Sequence, residues 1–144
     1  MIAERGAPRG AEMDEVERAP RGARGCILVV DDDPEVHAFL GAALEEEGYE
    51  VRRAFDGAEG IEAMRSGEFD VVLLDLMMPN VSGWRFLEMY REQPGSRTPV
   101  VVVSAIAPSS VKLPPGNVVD VIPKPFSLDH LLRTIRRVTG EAGR

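Results

Sequence analysis

The chain has 144 residues, of which 44% are hydrophobic and 28% are charged, proportions typical of a single globular domain. Its formal net charge of −7 argues against a surface that binds nucleic acid directly through the phosphates. One cysteine excludes an internal disulfide bond, and no apolar stretch approaches the roughly 20 residues that a membrane-spanning helix needs. Because the N-terminus also lacks the apolar core of a signal peptide, we predict a cytoplasmic protein without membrane contacts.

The first 25 residues differ in composition from the rest of the chain. They are rich in Arg, Glu, Gly, Ala and Pro and contain few large apolar side chains. Such a segment cannot bury enough apolar surface to offset the loss of chain entropy on folding. We therefore predict a disordered extension over residues 1–25, an ordered domain over residues 26–140 and a flexible tail over residues 141–144.

Apolar runs alternate with helical patterns along the predicted domain. The first and third runs are continuous and rich in Val, Leu and Ile, which is typical of strands buried on both faces of a sheet. Asp33 and Ser127 are placed to cap the helices that follow them. Strands are predicted over residues 26–30, 49–55, 71–75, 99–104 and 118–122, and helices over residues 34–47, 58–65, 83–92 and 128–138.

The strand–helix alternation predicts an α/β fold with a parallel sheet, helices on both faces and right-handed crossovers. In the first helix, helical spacing predicts one inward face, which comprises Val36, Phe39, Leu40, Ala43 and Leu44. Residues 105–118 depart from the pattern because they hold three prolines, which leave room for barely one or two helical turns. We therefore predict that the fourth helix is short or irregular.

Polar side chains stand at the ends of four predicted strands. Asp31 and Asp32 follow the first strand, Asp75 ends the third, Ser104 ends the fourth and Lys124 follows the fifth. In a parallel sheet all of these ends lie at one edge, where open α/β sheets place their ligands. Three carboxylates placed together repel one another, and a divalent cation relieves that repulsion. Hard oxygen ligands in an open site favour Mg²⁺.

A metal ion beside a carboxylate, a hydroxyl and an ammonium group is an arrangement suited to phosphoryl transfer. The cations neutralise the phosphoryl oxygens, and a carboxylate can attack phosphorus to form an acyl phosphate. Each feature alone has an ordinary explanation, since acidic residues often cap helices and a serine or lysine often follows a strand. Their joint occurrence at four strand ends favours the functional interpretation.

These motifs make the sequence resemble the receiver domain of bacterial two-component response regulators, in particular the single-domain receivers of chemotaxis. The resemblance implies a doubly wound, flavodoxin-like sheet of five parallel strands in the order 2-1-3-4-5. It extends from about Cys26 to Gly140. It is carried by residues 30–34, residues 74–79 with Ser82 and Gly83, residues 103–105 and residues 123–126.

The resemblance implies a role for each acidic residue of the site. Asp75 would be the phosphoacceptor. Asp32 and Asp75 would bind Mg²⁺ directly, and Asp31 would act through a water molecule. Met77 would contribute its backbone carbonyl, a role that places no demand on its side chain.

The resemblance also implies roles for the remaining polar residues, and the sequence differs from the family at one position. Ser104 would bind a phosphoryl oxygen and move on activation, while Lys124 would pair with Asp75 and then with the phosphoryl group. The bond before Pro125 is expected to be cis, which only an X-Pro bond adopts cheaply. Family members usually carry Tyr or Phe at the position of Val121. Valine has no ring to reorient. The resemblance implies that the fourth helix, the fifth strand and the last helix form the usual dimer and output face, and we predict that signalling in this protein does not use that face.

The leading hypothesis is a stand-alone receiver, since the chain ends at Arg144, shortly after the last predicted helix. Such a protein would take its phosphoryl group from a sensor histidine kinase or a histidine phosphotransfer protein. It would then dock on an unidentified protein target or pass the phosphoryl group onward. The alternative within the same family is a degenerate receiver that binds its partner constitutively.

Two other functions compatible with the same topology agree less well with the sequence. A haloacid-dehalogenase-type phosphatase needs a second aspartate two positions after its nucleophile, where this chain has Met77. We therefore predict that the protein is not a turnover enzyme. A flavin-binding protein would need a phosphate-binding loop rich in Ser, Thr or Gly after the first strand, and the three aspartates there do not provide one.

Overall fold

The computed structural model describes residues 24–93, 97–105 and 117–140. Within these ranges the chain forms five strands and four helices. The strands are β1 (Gly25–Val30), β2 (Tyr49–Ala54), β3 (Val71–Leu74), β4 (Val100–Ser104) and β5 (Val118–Pro123). The helices are α1 (Pro34–Glu46), α2 (Gly57–Ser66), α3 (Gly83–Arg91) and α4 (Leu128–Thr139).

All five strands lie in one parallel sheet with the order β2-β1-β3-β4-β5. The predicted fold class and strand order are therefore confirmed. Each predicted element agrees with the observed one to within one residue, and β1 begins at Gly25 rather than Cys26. The predicted short fourth helix falls on residues 106–116, and the predicted disordered and flexible ends fall largely on residues 1–23 and 141–144, all outside the described residues.

Two layers of helices bury the sheet, which explains why β3 is apolar throughout and why β4 is apolar up to Ser104. Every residue of β3 and of β4 is buried. Along β3, Val72 and Leu74 face the side chains of α2 and α3, including Ile61 and Phe86. The alternate residue Leu73 faces Leu40 of α1 and residues of α4. The absence of a polar face in the sequence thus reflects helices on both sides of the sheet.

Each helix begins at a side chain that accepts a hydrogen bond from its first turn. The caps predicted at Asp33 and Ser127 accept hydrogen bonds from the backbone N–H groups of Glu35 and His130. Asp56 and Ser82 cap α2 and α3 in the same way. A cap of this kind stabilises a helix by about 1 kcal/mol. No helix in the described part of the chain is long and apolar enough to cross a membrane.

The predicted inward face of α1 is wrong at Phe39, which is 53% exposed. The predicted Leu40 and Leu44 are buried, but so are His37 and Gly41, which the prediction did not include. Relative to the predicted orientation, the helix is rotated about its axis. His37 and Gly41 therefore face the sheet, and Phe39 faces outward. This rotation leaves Phe39 beside Phe126, with ring centroids 6.3 Å apart.

Candidate functional site

The polar strand ends meet at the point where the order of the sheet reverses. From β1 the chain passes to β2 on one side, and it then crosses to β3 on the other side. Asp31 directly follows β1 and Asp75 directly follows β3, so these two residues flank the reversal. Ser104 ends β4 and Lys124 follows β5 at the same edge. The structure therefore brings together the residues that the sequence placed at separate strand ends.

Asp75 is held by hydrogen bonds to both carboxylate oxygens. The hydroxyl of Ser104 donates to Oδ1 at 2.9 Å, and the backbone N–H of Met77 donates to the same oxygen at 3.1 Å. The Lys124 ammonium lies 3.4 Å from Oδ2. The residue is only 6% exposed, so these three donors, rather than solvent, surround and orient its carboxylate.

Asp31 is the second buried carboxylate of the site, with 3% exposure. Its Oδ1 accepts a hydrogen bond from the backbone N–H of Asp33 at 2.9 Å, and its Oδ2 accepts one from the Lys124 ammonium at 2.8 Å. Lys124 thus bridges Asp31 and Asp75, with the shorter contact to Asp31 rather than to the Asp75 partner that the family resemblance implied.

Asp31, Asp32 and Asp75 form an acidic cluster that fits a hard divalent cation. One carboxylate oxygen from each residue lies within 4.8 Å of the others. Asp32 is exposed whereas Asp31 and Asp75 are buried. The cluster therefore has two buried carboxylates and one that is open to solvent. Oxygen ligands with room for water are the donor set that Mg²⁺ prefers.

The charge of Lys124 is stabilised by its two carboxylate partners. Burial of the ammonium acts to lower its pKa, but the hydrogen bond to Asp31 and the charges of Asp31 and Asp75 more than offset this effect. The net result is a pKa above the ordinary lysine value. The lysine is therefore a cation at neutral pH and balances part of the acidic charge. The peptide bond between Lys124 and Pro125 is cis.

Two other residues singled out in the sequence lie at the edge of the site or away from it. The side chain of Met77 is exposed, and only its backbone is tied to the Asp75 carboxylate. Val121 is partly buried and packs into the core on the side of α2 and α3. Its side chain therefore lies in the apolar packing and presents no polar group to the pocket.

Sequence reasoning missed His37, which the structure places directly beneath the acidic cluster. Its Nε2 lies 2.7 Å from the carbonyl oxygen of Asp31 and 3.2 Å from that of Ala54. The side chain is 2% exposed. A single histidine within an amphipathic helix carries no signal of such a contact, because the interaction joins the ends of two strands that are distant in sequence.

A surface groove of about 650 Å³ lies beside the acidic cluster. Phe39 and Phe126 contribute aromatic side chains to its lining, and Lys124 also lines it. Asp33 and Glu35 contribute acidic groups to its edge. The groove thus connects the exposed ring of Phe39 with Lys124, the residue that contacts both buried carboxylates.

The sheet order and the acidic pocket at its point of reversal define a flavodoxin-like α/β domain of the receiver type. Residues 27–136 match the family described as the response regulator receiver domain. The chain therefore belongs to this family, whose members act in two-component signalling, as the motifs predicted.

The chain is also similar to curated transcriptional regulators. It is 37% identical over 118 residues to the transcriptional regulatory protein DltR of Streptococcus agalactiae serotype III (strain NEM316), covering 81% of this chain and 52% of DltR. It is 35% identical over 132 residues to the transcriptional regulatory protein TcrA of Mycobacterium tuberculosis (strain ATCC 25618 / H37Rv), covering 85% of this chain and 52% of TcrA. The chain thus spans about half the length of these relatives.

Solved receiver domains share the fold. The receiver domain of the Francisella response regulator 1452 aligns with a TM-score of 0.71 and 29% identity, covering 82% of this chain and 98% of that one. The response regulator protein TrrA of Thermotoga maritima, solved in complex with Mg²⁺ and BeF, aligns with a TM-score of 0.71 and 30% identity. That alignment covers 78% of this chain and 97% of TrrA.

Proposed function

We propose that Asp75 accepts a phosphoryl group in a Mg²⁺-dependent reaction and that the protein acts as a cytoplasmic signalling switch or relay. Asp31, Asp32, Asp75 and the backbone carbonyl of Met77 would hold the metal ion. The observation that carries this proposal is the position of the Asp75 carboxylate, which lies between the Ser104 hydroxyl and the Lys124 ammonium with two further carboxylates in reach. The Mg²⁺ complex of the similar protein TrrA supports the choice of metal.

The chain's own residues account for the remaining steps of the transfer. The Asp75 carboxylate forms a bond to phosphorus while the bond from phosphorus to the donor imidazole breaks, and the imidazole nitrogen keeps the electron pair. The Ser104 hydroxyl and the Lys124 ammonium then donate hydrogen bonds to phosphoryl oxygens instead of to the carboxylate. Bound Mg²⁺ would supply charge neutralisation at those oxygens. Each chain accepts one phosphoryl group, so we propose a signalling role rather than turnover of an external substrate.

A direct test compares labelling of the wild type and the Asp75→Asn variant with acetyl phosphate and Mg²⁺. We expect intact-mass spectrometry to show one added phosphoryl group on the wild type and none on Asp75→Asn, because the amide cannot act as the nucleophile. Chelation of Mg²⁺ should abolish the labelling. Asp129→Asn, which alters an exposed aspartate in α4, is the matched control and should be labelled normally. Equal labelling of Asp75→Asn and the wild type would exclude Asp75 as the acceptor.

We propose that the donor is the phosphohistidine of a sensor histidine kinase or a histidine phosphotransfer protein, and that it docks in the groove beside Lys124. Asp75 is nearly buried, so a protein donor must bring its histidine to the rim of the pocket. The groove offers the exposed ring of Phe39 beside the partly buried ring of Phe126. Aromatic side chains, including phenylalanine, are enriched at protein–protein interfaces relative to the rest of the surface.

We propose that the phosphorylated protein binds a protein target, and that phosphorylation of Asp75 is communicated to this target by an unusual route. Val121 has no ring that could follow a movement of Ser104, and it is packed against the core. We therefore expect that the activated protein does not form a symmetric dimer through the face that carries β5 and α4. Crystals of the protein activated with beryllofluoride test this expectation. An ordinary symmetric dimer on that face would contradict it.

A further inference from the structure

The main chain that carries the acidic cluster is tied to the neighbouring strand by His37. The Nε2 atom of this residue in α1 lies 2.7 Å from the carbonyl oxygen of Asp31 and 3.2 Å from that of Ala54, the last residue of β2. The backbone N–H of Asp31 also donates to the Ala54 carbonyl at 3.0 Å. One ring nitrogen therefore joins the ends of β1 and β2 to the first turns of α1.

The surroundings of the ring define which nitrogen carries the hydrogen in this contact. Both partners of Nε2 are carbonyl oxygens, which only accept hydrogen bonds. Nε2 is thus the donor. Nδ1 is buried and has no hydrogen-bond partner among the described residues. The ring also packs against that of Phe55, with centroids 4.2 Å apart and the ring planes tilted by 39°. The Phe55 contact and the hydrogen bonds of Nε2 thus both restrict its orientation.

We propose that His37 is a positioning residue for the metal-binding carboxylates. By fixing the backbone of Asp31 against the end of β2, the Nε2–H group keeps Asp31 and Asp32 at the spacing that Mg²⁺ requires. The contact is to the backbone, so His37 leaves the Asp31 carboxylate free for Lys124 and the metal ion. This inference rests on the proposed Mg²⁺-dependent phosphorylation, and it adds a residue that does not itself touch the metal ion or the phosphoryl group.

The test compares two substitutions that differ in the hydrogen-bond donor. His37→Leu removes the donor, whereas His37→Gln places an amide N–H near the position of Nε2. Groups that orient metal ligands typically contribute 10- to 100-fold to metal affinity, so we expect His37→Leu to raise the dissociation constant of Mg²⁺ about tenfold. His37→Gln should restore most of that loss. Isothermal titration calorimetry with Mg²⁺ alone measures both values without any phosphoryl donor.

A matched control separates positioning from loss of stability. Thr134 is 3% exposed in α4, and its hydroxyl donates to the His130 carbonyl within that helix. Thr134→Val should lower the melting temperature, as loss of a buried hydrogen bond does, but leave the Mg²⁺ affinity unchanged. An unchanged affinity in His37→Leu, or an equal loss in His37→Leu and His37→Gln, would overturn the inference.

A measurement on the wild type keeps the inference testable if His37→Leu fails to fold. Long-range ¹H–¹⁵N correlation spectra should show the hydrogen of the His37 ring on Nε2, and addition of Mg²⁺ should shift the ring resonances. A hydrogen located on Nδ1 alone would refute the contact. These results are independent of the labelling of Asp75, so failure of the proposed function and failure of this inference can be told apart.

Discussion

Replacing Lys124 with methionine should lower the free energy of unfolding by about 2 kcal/mol at pH 7, since it leaves two buried carboxylates without their shared cation. The ammonium lies 2.8 Å from Oδ2 of Asp31 and 3.4 Å from Oδ2 of Asp75. These two side chains are only 5% and 7% exposed, whereas that of Lys124 is 22% exposed, and we place the expected loss below that of a fully buried pair for this reason. Urea denaturation measures the difference.

Mg²⁺ should reverse most of this loss. The metal ion would take the place of the missing cation between the carboxylates, and a ligand that binds only the folded state raises its stability. Saturating Mg²⁺ should therefore stabilise Lys124→Met more than it stabilises the wild type. Arg65→Met is the control, because its partner Glu62 lies 3.9 Å away in an exposed pair, and such pairs contribute at most about 1 kcal/mol.

The pH dependence of the Lys124 effect follows from the direction of its pKa shift. Burial alone would lower the pKa, but the contacts with Asp31 and Asp75 raise it above the ordinary value. A raised pKa in the folded state means that the stabilisation is complete below the unfolded-state pKa and is lost as the pH rises through the folded-state pKa. The lysine-dependent part of the difference between wild type and variant should thus stay constant from about pH 7 to 9 and shrink only in strongly alkaline solution. A difference that vanishes below pH 9 would contradict this account.

Phe39→Ala should slow phosphoryl transfer from a histidine kinase about tenfold, since an exposed aromatic anchor at a protein interface commonly contributes more than 1 kcal/mol. Phe39 is 53% exposed on α1 and lines the groove that leads to Lys124. Labelling by acetyl phosphate should be unchanged, because this small donor needs no docking surface. The rates are compared by following loss of label from a kinase core that phosphorylates the wild type.

The control for this experiment is another exposed apolar residue outside the groove. Val119 on β5 is 47% exposed, and Val119→Ala should leave transfer from the kinase unchanged. Equal slowing by kinase and acetyl phosphate in Phe39→Ala would show damage to the pocket itself. Normal transfer from the kinase would show that the groove is not the docking surface.

The strands, the helices and the gathering of acidic residues could be predicted because their signals are local. A continuous apolar run such as residues 71–74 is compatible with a strand covered on both faces, and Asp33 and Ser127 have the chemistry of helix caps. Once the strands are parallel, Asp75 and Ser104 must lie at the same edge. The parallel arrangement of the strands thus brings residues that are far apart in sequence into one pocket.

The misassigned face of α1 shows where local patterns are insufficient. Helical spacing grouped Phe39 with Val36 and Leu40, but His37 and Gly41 share the buried face instead. The rotation of a helix depends on which atoms of other elements it meets, and His37 meets two carbonyl groups at the ends of β1 and β2. No spacing rule within α1 contains that information.

The short stretches that end at Asp31, Asp75, Ser104 and Lys124 were sufficient to identify a receiver domain and its acidic cluster, because residue type and strand direction are properties of the chain itself. Packing of distant elements was needed to bring Lys124 closer to Asp31 than to Asp75. The same packing buried His37 beneath the cluster and left Phe39 exposed beside the groove. These features arise from contacts between residues far apart in sequence, where small rotations of a helix decide which atoms meet.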